Sequence, residues 1–267
     1  MEKEVKSKCQ TNGICTYYEL EGQGDVLLFI HGLGSDSSDW NLQKKFFKNY
    51  FRVLTYDVRG HGKSYKSPGP YSVPLFANDL YALIQDLKIK KLHVCGISMG
   101  GWIAIQFTLN HPECVKTLCM VNSSTELVGK NFDLRFKIWQ RSVLFKFLSM
   151  ERIGKILAPK LFIKTFQKSL RSKFIDKWAK NHKPSYLAAF QGAIGWTVTE
   201  KISTIDCPVH IIAGDQDYTS VEEKKKTLSN LKNGTMEVIW DSRHATPIEH
   251  PYQFNEALHA FLKKNSP

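Results

Sequence analysis

The sequence predicts an α/β fold, a mostly parallel twisted sheet flanked by helices, with an inserted helical cap. Three observations predict it. Short apolar runs alternate with stretches of helical spacing along most of the chain, and that alternation stops over residues 123–202, where only helical periodicity remains. The third is a GxSxG pentapeptide, Gly96 to Gly100, standing between an apolar run and a helix start. In open sheets of this kind ligands sit at the carboxyl ends of the strands.

The elements follow in order. An opening hairpin centres on residues 14–20, and strand-like apolar runs occupy 26–30, 51–56, 91–97, 115–121, 209–212 and 236–240. Helical spacing marks 73–87, 102–109, 221–231 and 251–263. Residues 1–122 and 203–267 therefore form the sheet core, and 123–202 an insertion placed to cover the carboxyl edge as a lid. With 267 residues the chain suffices for one large domain carrying such an insertion. No stretch approaches the roughly 20 apolar residues of a membrane span, and the first dozen residues are charged and polar, which argues against a signal peptide. The six cysteines, Cys9, Cys15, Cys95, Cys114, Cys119 and Cys207, lack zinc-like spacing and fit reduced thiols of a cytoplasmic protein.

Chemistry concentrates at Ser98. A serine hydroxyl is a poor nucleophile at neutral pH, so it must stand clear of the sheet where a base can take its proton. Glycines at 96 and 100 permit the sharp turn this requires, although a glycine-rich turn whose serine only caps a helix has the same local pattern. Met99, at the helix start, offers a backbone N–H to a developing oxyanion. The run 26–30 leads into His31, Gly32, Leu33 and Gly34, and the Leu33 N–H is the natural second donor. The segment from Asp57 to Ser64 reads as structural, with Asp57 and Arg59 holding neighbouring loops.

A base and an orienting acid complete the set. His244 follows the run 236–240 by a short polar loop and precedes the last helix, at the same sheet edge as Ser98. His250 reads as structural and His31 as shaping the oxyanion loop. Two carboxylates compete beyond Gly214: Asp217 can reach across to His244, whereas Asp215 suits an Asx turn within its own loop.

The order Ser98, Asp217, His244 and the string of motifs HGLG, DVRGHGKS, GISMGG, GDQD and RHATPIEHP closely resemble the α/β-hydrolase superfamily over essentially the whole chain. The resemblance favours Asp217 over Asp215 as the acid. It implies a Ser-His-Asp serine hydrolase that forms an acyl-enzyme and needs no metal or organic cofactor. The SMGG elbow is similar to those of carboxylesterases, enol-lactonases, meta-cleavage-product hydrolases and monoacylglycerol lipases. Similarity extends to the methyl esterase acting on pimeloyl-carrier protein. Ile97 departs from the asparagine usual in carbon–carbon hydrolases and from the histidine frequent in the lipases, and Ser98 departs from the aspartate of haloalkane dehalogenases. A ligand-binding receptor on the same fold is the non-enzymatic alternative.

The formal net charge is +12, and it is uneven. Between residues 126 and 186 fifteen Lys or Arg face four acids, so this segment carries +11 and the rest of the chain +1. Within 160–180, Phe162, Ile163, Phe166, Leu170, Phe174 and Trp178 recur at helical spacing between lysines and arginines, which predicts one basic amphipathic helix. Beside a merely solvated face, the pattern suits an acidic carrier protein or an anionic membrane surface; no nucleic-acid module accompanies it.

Overall fold

The computed structural model describes residues 5–129 and 132–265. Residues 1–4 of the polar opening stretch, 130–131 of the basic segment and 266–267 lie outside the described residues. Eight strands, β1 (Val5–Thr11), β2 (Ile14–Glu21), β3 (Val26–Ile30), β4 (Arg52–Tyr56), β5 (Leu92–Ile97), β6 (Val115–Val121), β7 (Val209–Gly214) and β8 (Gly234–Ile239), form one sheet in the order β1-β2-β4-β3-β5-β6-β7-β8. The pairs β1–β2 and β2–β4 are antiparallel, and every pair from β4 to β8 is parallel. The helices are α1 (Asn41–Phe47), α2 (Val73–Asp86), α3 (Met99–Asn110), α4 (Phe132–Phe147), α5 (Met150–Leu161), α6 (Lys168–Ala179), α7 (Lys183–Ala193), α8 (Val221–Ser229), α9 (Thr246–Glu249) and α10 (Pro251–Lys264).

The strands β3 and β7 are buried at every residue, which explains why their sequences are continuously apolar rather than alternating. Side chains nevertheless alternate between two cores. Leu28 and Ile30 join Phe76, Leu80, Ile103 and Phe107 on the face covered by α2 and α3. Leu27 and Phe29 join Phe47, Phe254 and Leu258 on the face covered by α1 and α10. Each such buried side chain contributes about 1.5–3 kcal/mol. The local signals agree: Ser72 accepts the Leu75 N–H at 3.2 Å to cap α2, whose Val73, Phe76, Ala77, Leu80 and Leu83 keep to one buried face.

Between β6 and β7 the chain runs through α4 to α7, with no strand among its described residues. Its two ends are stitched by an isolated bridge of Glu126 to Thr197, flanked by Leu127 N–H to Trp196 O at 2.8 Å and Val198 N–H to Thr125 O at 2.9 Å. Phe145, Met150, Ile153, Trp178 and Tyr186 give the segment a small core of its own.

The expectation of one helix over 160–180 is corrected here: α5 ends at Leu161 and α6 begins at Lys168. Pro159 lies in the last turn of α5, and a proline there removes a backbone donor and disfavours the helical conformation of the residue before it. The Arg171 guanidinium then donates to the carbonyl oxygens of Phe162 at 2.7 Å and Lys164 at 3.2 Å, fastening the reversal. The apolar residues consequently divide. Phe162 and Trp178 are buried, whereas Ile163 and Phe166 are exposed.

Candidate active site

Every predicted site residue falls at or just beyond a strand's carboxyl end. Ser98 joins β5 to α3 with φ 54° and ψ −119°, a region that costs a non-glycine residue about 1–3 kcal/mol. Surrounding contacts enforce it. The Ser98 N–H donates to Val121 O at 3.0 Å, and its carbonyl accepts from Ser123 Oγ at 2.8 Å and Gly101 N–H at 2.9 Å. Close approach explains the flanking glycines: a Cβ on Gly96 would lie 2.2 Å from Gly100 O, and one on Gly100 would lie 2.2 Å from Ile30 O. The start of α3 thereby sits directly on the ends of β3 and β5.

The HGLG turn lies alongside, since a Cβ on Gly32 would meet Ser98 Cβ at 3.5 Å. His31 is fully buried, accepting the Val58 N–H on Nε2 at 3.0 Å and donating from Nδ1 to Gly32 O at 2.8 Å. Both ring nitrogens are thus committed to the backbone, and burial holds the imidazole below its usual pKa. It shapes the loop that carries Leu33. Met99 opens α3, so its N–H has no acceptor within the helix.

Across the edge, His244 Nδ1 and Asp217 Oδ1 are 2.5 Å apart. The Asp217 side chain is completely buried; burial would raise its pKa, but His244 and Lys224 beside it hold the carboxyl well below the ordinary carboxylate range. Its second oxygen, Oδ2, accepts from Lys224 Nζ at 2.7 Å and from Thr219 Oγ1 at 2.9 Å. The Tyr218 ring lies 4.4 Å from the His244 imidazole. Asp215 bonds elsewhere. Its Oδ1 accepts the Ser242 N–H at 2.9 Å, so it ties the loop before His244 to β7 rather than closing an Asx turn in its own loop.

Asn122 connects the two halves. It follows β6 in a left-handed conformation with φ 43°, accepts the Gly214 N–H at 2.8 Å, and donates from Nδ2 to the Arg243 and His244 carbonyls, each at 2.9 Å. The residue before it, Val121, holds the Ser98 N–H. Serine, acid loop and histidine loop are therefore keyed to two consecutive residues at the end of β6, although Ser98 and His244 are not themselves hydrogen-bonded among the described residues.

The helical segment reaches the same edge. Asn181 donates to Gly34 O at 2.7 Å, the Trp178 ring fills the space beside Gly34, and Lys177 pairs with Asp36 at 2.8 Å and Asp39 at 2.5 Å. On the opposite side Lys164 pairs with Asp241 at 2.5 Å and Arg243 donates to Lys160 O at 2.6 Å. Two of the lysines counted as surface charge thus join the segment to loops flanking Ser98 and His244.

Asn122, Lys224 and Thr219 were not legible as site residues. The only signal for Lys224 is helical phase: within VEEKKKTL it shares a face with Val221 and Leu228, while Lys225 and Lys226 are exposed.

A sheet with this strand order, a strained serine at the β5–α3 turn and a buried carboxylate on a histidine define a hydrolase architecture. Residues 27–257 match the model of the alpha/beta hydrolase family, and the chain belongs to that family. Over 97% of both chains it is 28% identical to 3-oxoadipate enol-lactonase 2 of Acinetobacter baylyi. Among solved structures, it resembles a thermophilic esterase from Thermogutta terrifontis, with TM-score 0.89, 23% identity and 100% of both chains covered. It also resembles the enol-lactonase of Burkholderia xenovorans, with TM-score 0.88 and 22% identity, covering 96% of this chain and 99% of that one.

Proposed function

We propose that the chain hydrolyses carboxylic esters, lactones included, through Ser98, His244 and Asp217. The observation that carries this reading is the 2.5 Å contact of His244 Nδ1 with buried Asp217, keyed through Asn122 and Val121 to the strained serine turn. Ser98 Oγ attacks the acyl carbon while His244 Nε2 takes its proton and returns it to the leaving alcohol. Asp217 selects the tautomer with the proton on Nδ1 and stabilises the imidazolium. The Leu33 and Met99 N–H groups receive the oxyanion, and water then releases the acid from the acyl-enzyme. In a lactone the leaving alcohol stays tethered to the acyl group, and the steps are otherwise the same. Similarity to an enol-lactonase supports that substrate class.

Residues 123–202 act as a cap in this reading, supported by the contacts of Asn181, Trp178, Lys177 and Lys164 with loops on both sides of Ser98. We extend the proposal to the acyl source: exposed cations of the cap receive an acidic carrier protein, with an anionic membrane surface as the competing outcome of the charge-reversal test below.

The test is Ser98→Ala assayed on p-nitrophenyl esters, with fluorophosphonate labelling of the native protein. Activity should fall by at least about 10⁴-fold, with the fold retained, and the native serine should label. A native protein that does not label, or an undiminished variant, would sink the assignment and favour a binding role.

A further inference from the structure

Asp217 has two carboxylate oxygens, and only one faces the histidine. The other is held by a lysine whose side chain is 2% exposed, at the centre of a closed network. Lys224 Nζ donates to Asp217 Oδ2 at 2.7 Å, to Thr219 Oγ1 at 2.8 Å and to Thr219 O at 2.6 Å, which uses all three ammonium protons. Thr219 Oγ1 in turn donates to Asp217 Oδ2 at 2.9 Å. The backbone is arranged to deliver this cation. Ser220 and Glu223 form a capping box that starts α8 immediately after the acid loop, and the first turn of α8 aims Lys224 back beneath Asp217.

A buried ion pair is costly to assemble, and replacing one with apolar residues is often neutral or stabilising, so stability alone gives little reason for a lysine here. Its position gives a better one. We propose that Lys224 is a positioning and charge-tuning residue for the hydrolytic site: it fixes the Asp217 rotamer so that Oδ1 meets His244, and it offsets part of the carboxylate charge that would otherwise favour a protonated resting site. The inference rests on the assignment of Asp217 and His244 above.

The sign is independent of which group holds the proton. A positive charge beside a coupled carboxylate–imidazole pair opposes proton uptake by the pair as a whole. Taking it away therefore lets the resting enzyme protonate at higher pH, and the acid limb of the kcat/KM profile moves up. At the separations of a bridged pair such a charge is worth about one pH unit. The other charged or titratable groups near the pair are these. Tyr218 packs its ring against His244, Asp215 accepts from Ser242, Glu249 accepts the Arg243 N–H, and Arg243 bonds Lys160 O. Arg141 of α4 lies over the Phe145 and Phe190 rings, and Glu237 of β8 is exposed.

The experiment compares pH–rate profiles of the native enzyme with Lys224→Met, Lys224→Gln and Lys224→Arg on one free ester. The two neutral variants should move the acid limb up by about one unit, and Lys224→Arg should restore it. Neutral variants that fold and superimpose on the native profile overturn the proposal. If the neutral variants do not fold, the double variant Asp217→Asn/Lys224→Met carries the test through its unfolding midpoint: recovery above both singles supports the pairing, and no recovery overturns it. Failure of the underlying assignment looks different, because Ser98→Ala and Asp217→Asn would then retain activity whatever Lys224 does.

Discussion

The carboxyl edge of the sheet and the helical segment above it handle charge in opposite ways. At the edge, the central charges are buried and paired: Asp217 is enclosed by His244, Lys224 and Thr219, and Arg59 is clamped on Asp79 at 2.6 and 2.7 Å. On the segment Lys168, Lys173 and Lys180 point to solvent, and so do the large apolar side chains Phe132, Trp139 and Phe147. Removing one partner of a buried pair costs several kcal/mol and the pair tolerates one geometry, whereas an exposed charge can be lost for a fraction of that and tolerates many. The difference teaches that, under the proposed function, a reaction at the edge depends on one fixed arrangement of charges, while the segment's exposed charges can change without disturbing it.

The largest effect expected from breaking the edge comes from its acid. Asp217→Asn loses the charge that stabilises the imidazolium, and ester turnover should fall by about 10³–10⁴-fold. It also leaves the buried Lys224 ammonium without its counter-ion, so the variant should lose about 3–5 kcal/mol in denaturant unfolding. Asp215→Asn keeps an acceptor for the Ser242 N–H, and its turnover should stay within about tenfold of native because only one neutral-strength hydrogen bond weakens. A larger loss from Asp215→Asn than from Asp217→Asn would reverse the assignment.

The same contrast explains what could be read from the sequence. Strands β3, β5 and β7 are buried on both faces, so their apolar runs announce themselves, and around Ser98 the glycines Gly96 and Gly100 approach backbone oxygens so closely that a Cβ would lie at 2.2 Å. His244 follows β8, whose residues alternate in exposure, whereas Ser98, Leu33, Met99 and Asp217 lie just beyond buried apolar runs. Asn122 does too, but an asparagine after a strand has many uses, and its four hydrogen bonds reach residues about 90–120 positions away that no local pattern reveals. Lys224 was hidden for another reason. In a run of three lysines only the helical phase separates the buried one from its exposed neighbours. In the segment, periodicity suggested one helix over 160–180 because Pro159 and Arg171, which produce the reversal, leave the apolar spacing intact.

A second effect, smaller than loss of the acid, sharpens the comparison through pH. His31, His61, His93 and His210 are buried in the sheet region, none in the segment. Burial lowers all four, His61 to about 3 and His93 and His210 to about 4, with Lys116 also opposing protonation of His93. These histidines stay neutral in the folded protein while the unfolded chain takes up protons near pH 6.5. Their contribution to stability is therefore complete above pH 6.5 and is lost as pH falls towards 4 and 3. Each can cost at most about 2 kcal/mol between pH 6.5 and 5. Urea unfolding should give a clearly lower midpoint at pH 5 than at pH 7; equal midpoints would mean that these rings protonate without disturbing the core.

The smallest effect on chemistry, and the sharpest test of the segment, is charge reversal of Lys168, Lys173 and Lys180 together to glutamate. Lys164 and Lys177 are left alone because their pairs with Asp241, Asp36 and Asp39 hold the segment on the core. The triple variant changes the charge by −6 on an exposed face, with no buried partner to lose. Turnover of a small free ester should remain within about twofold, since charges on an exposed face act through solvent and are screened by salt. A carrier-linked acyl ester should instead slow by about tenfold or more, because steering by complementary charge raises association rates by 10–10³-fold, and that difference should shrink with added salt. Equal slowing of both substrates would place the lysines in the fold rather than in docking. Unchanged carrier turnover, with loss of binding to phosphatidylserine vesicles but not phosphatidylcholine vesicles, would assign the same charge to a membrane surface.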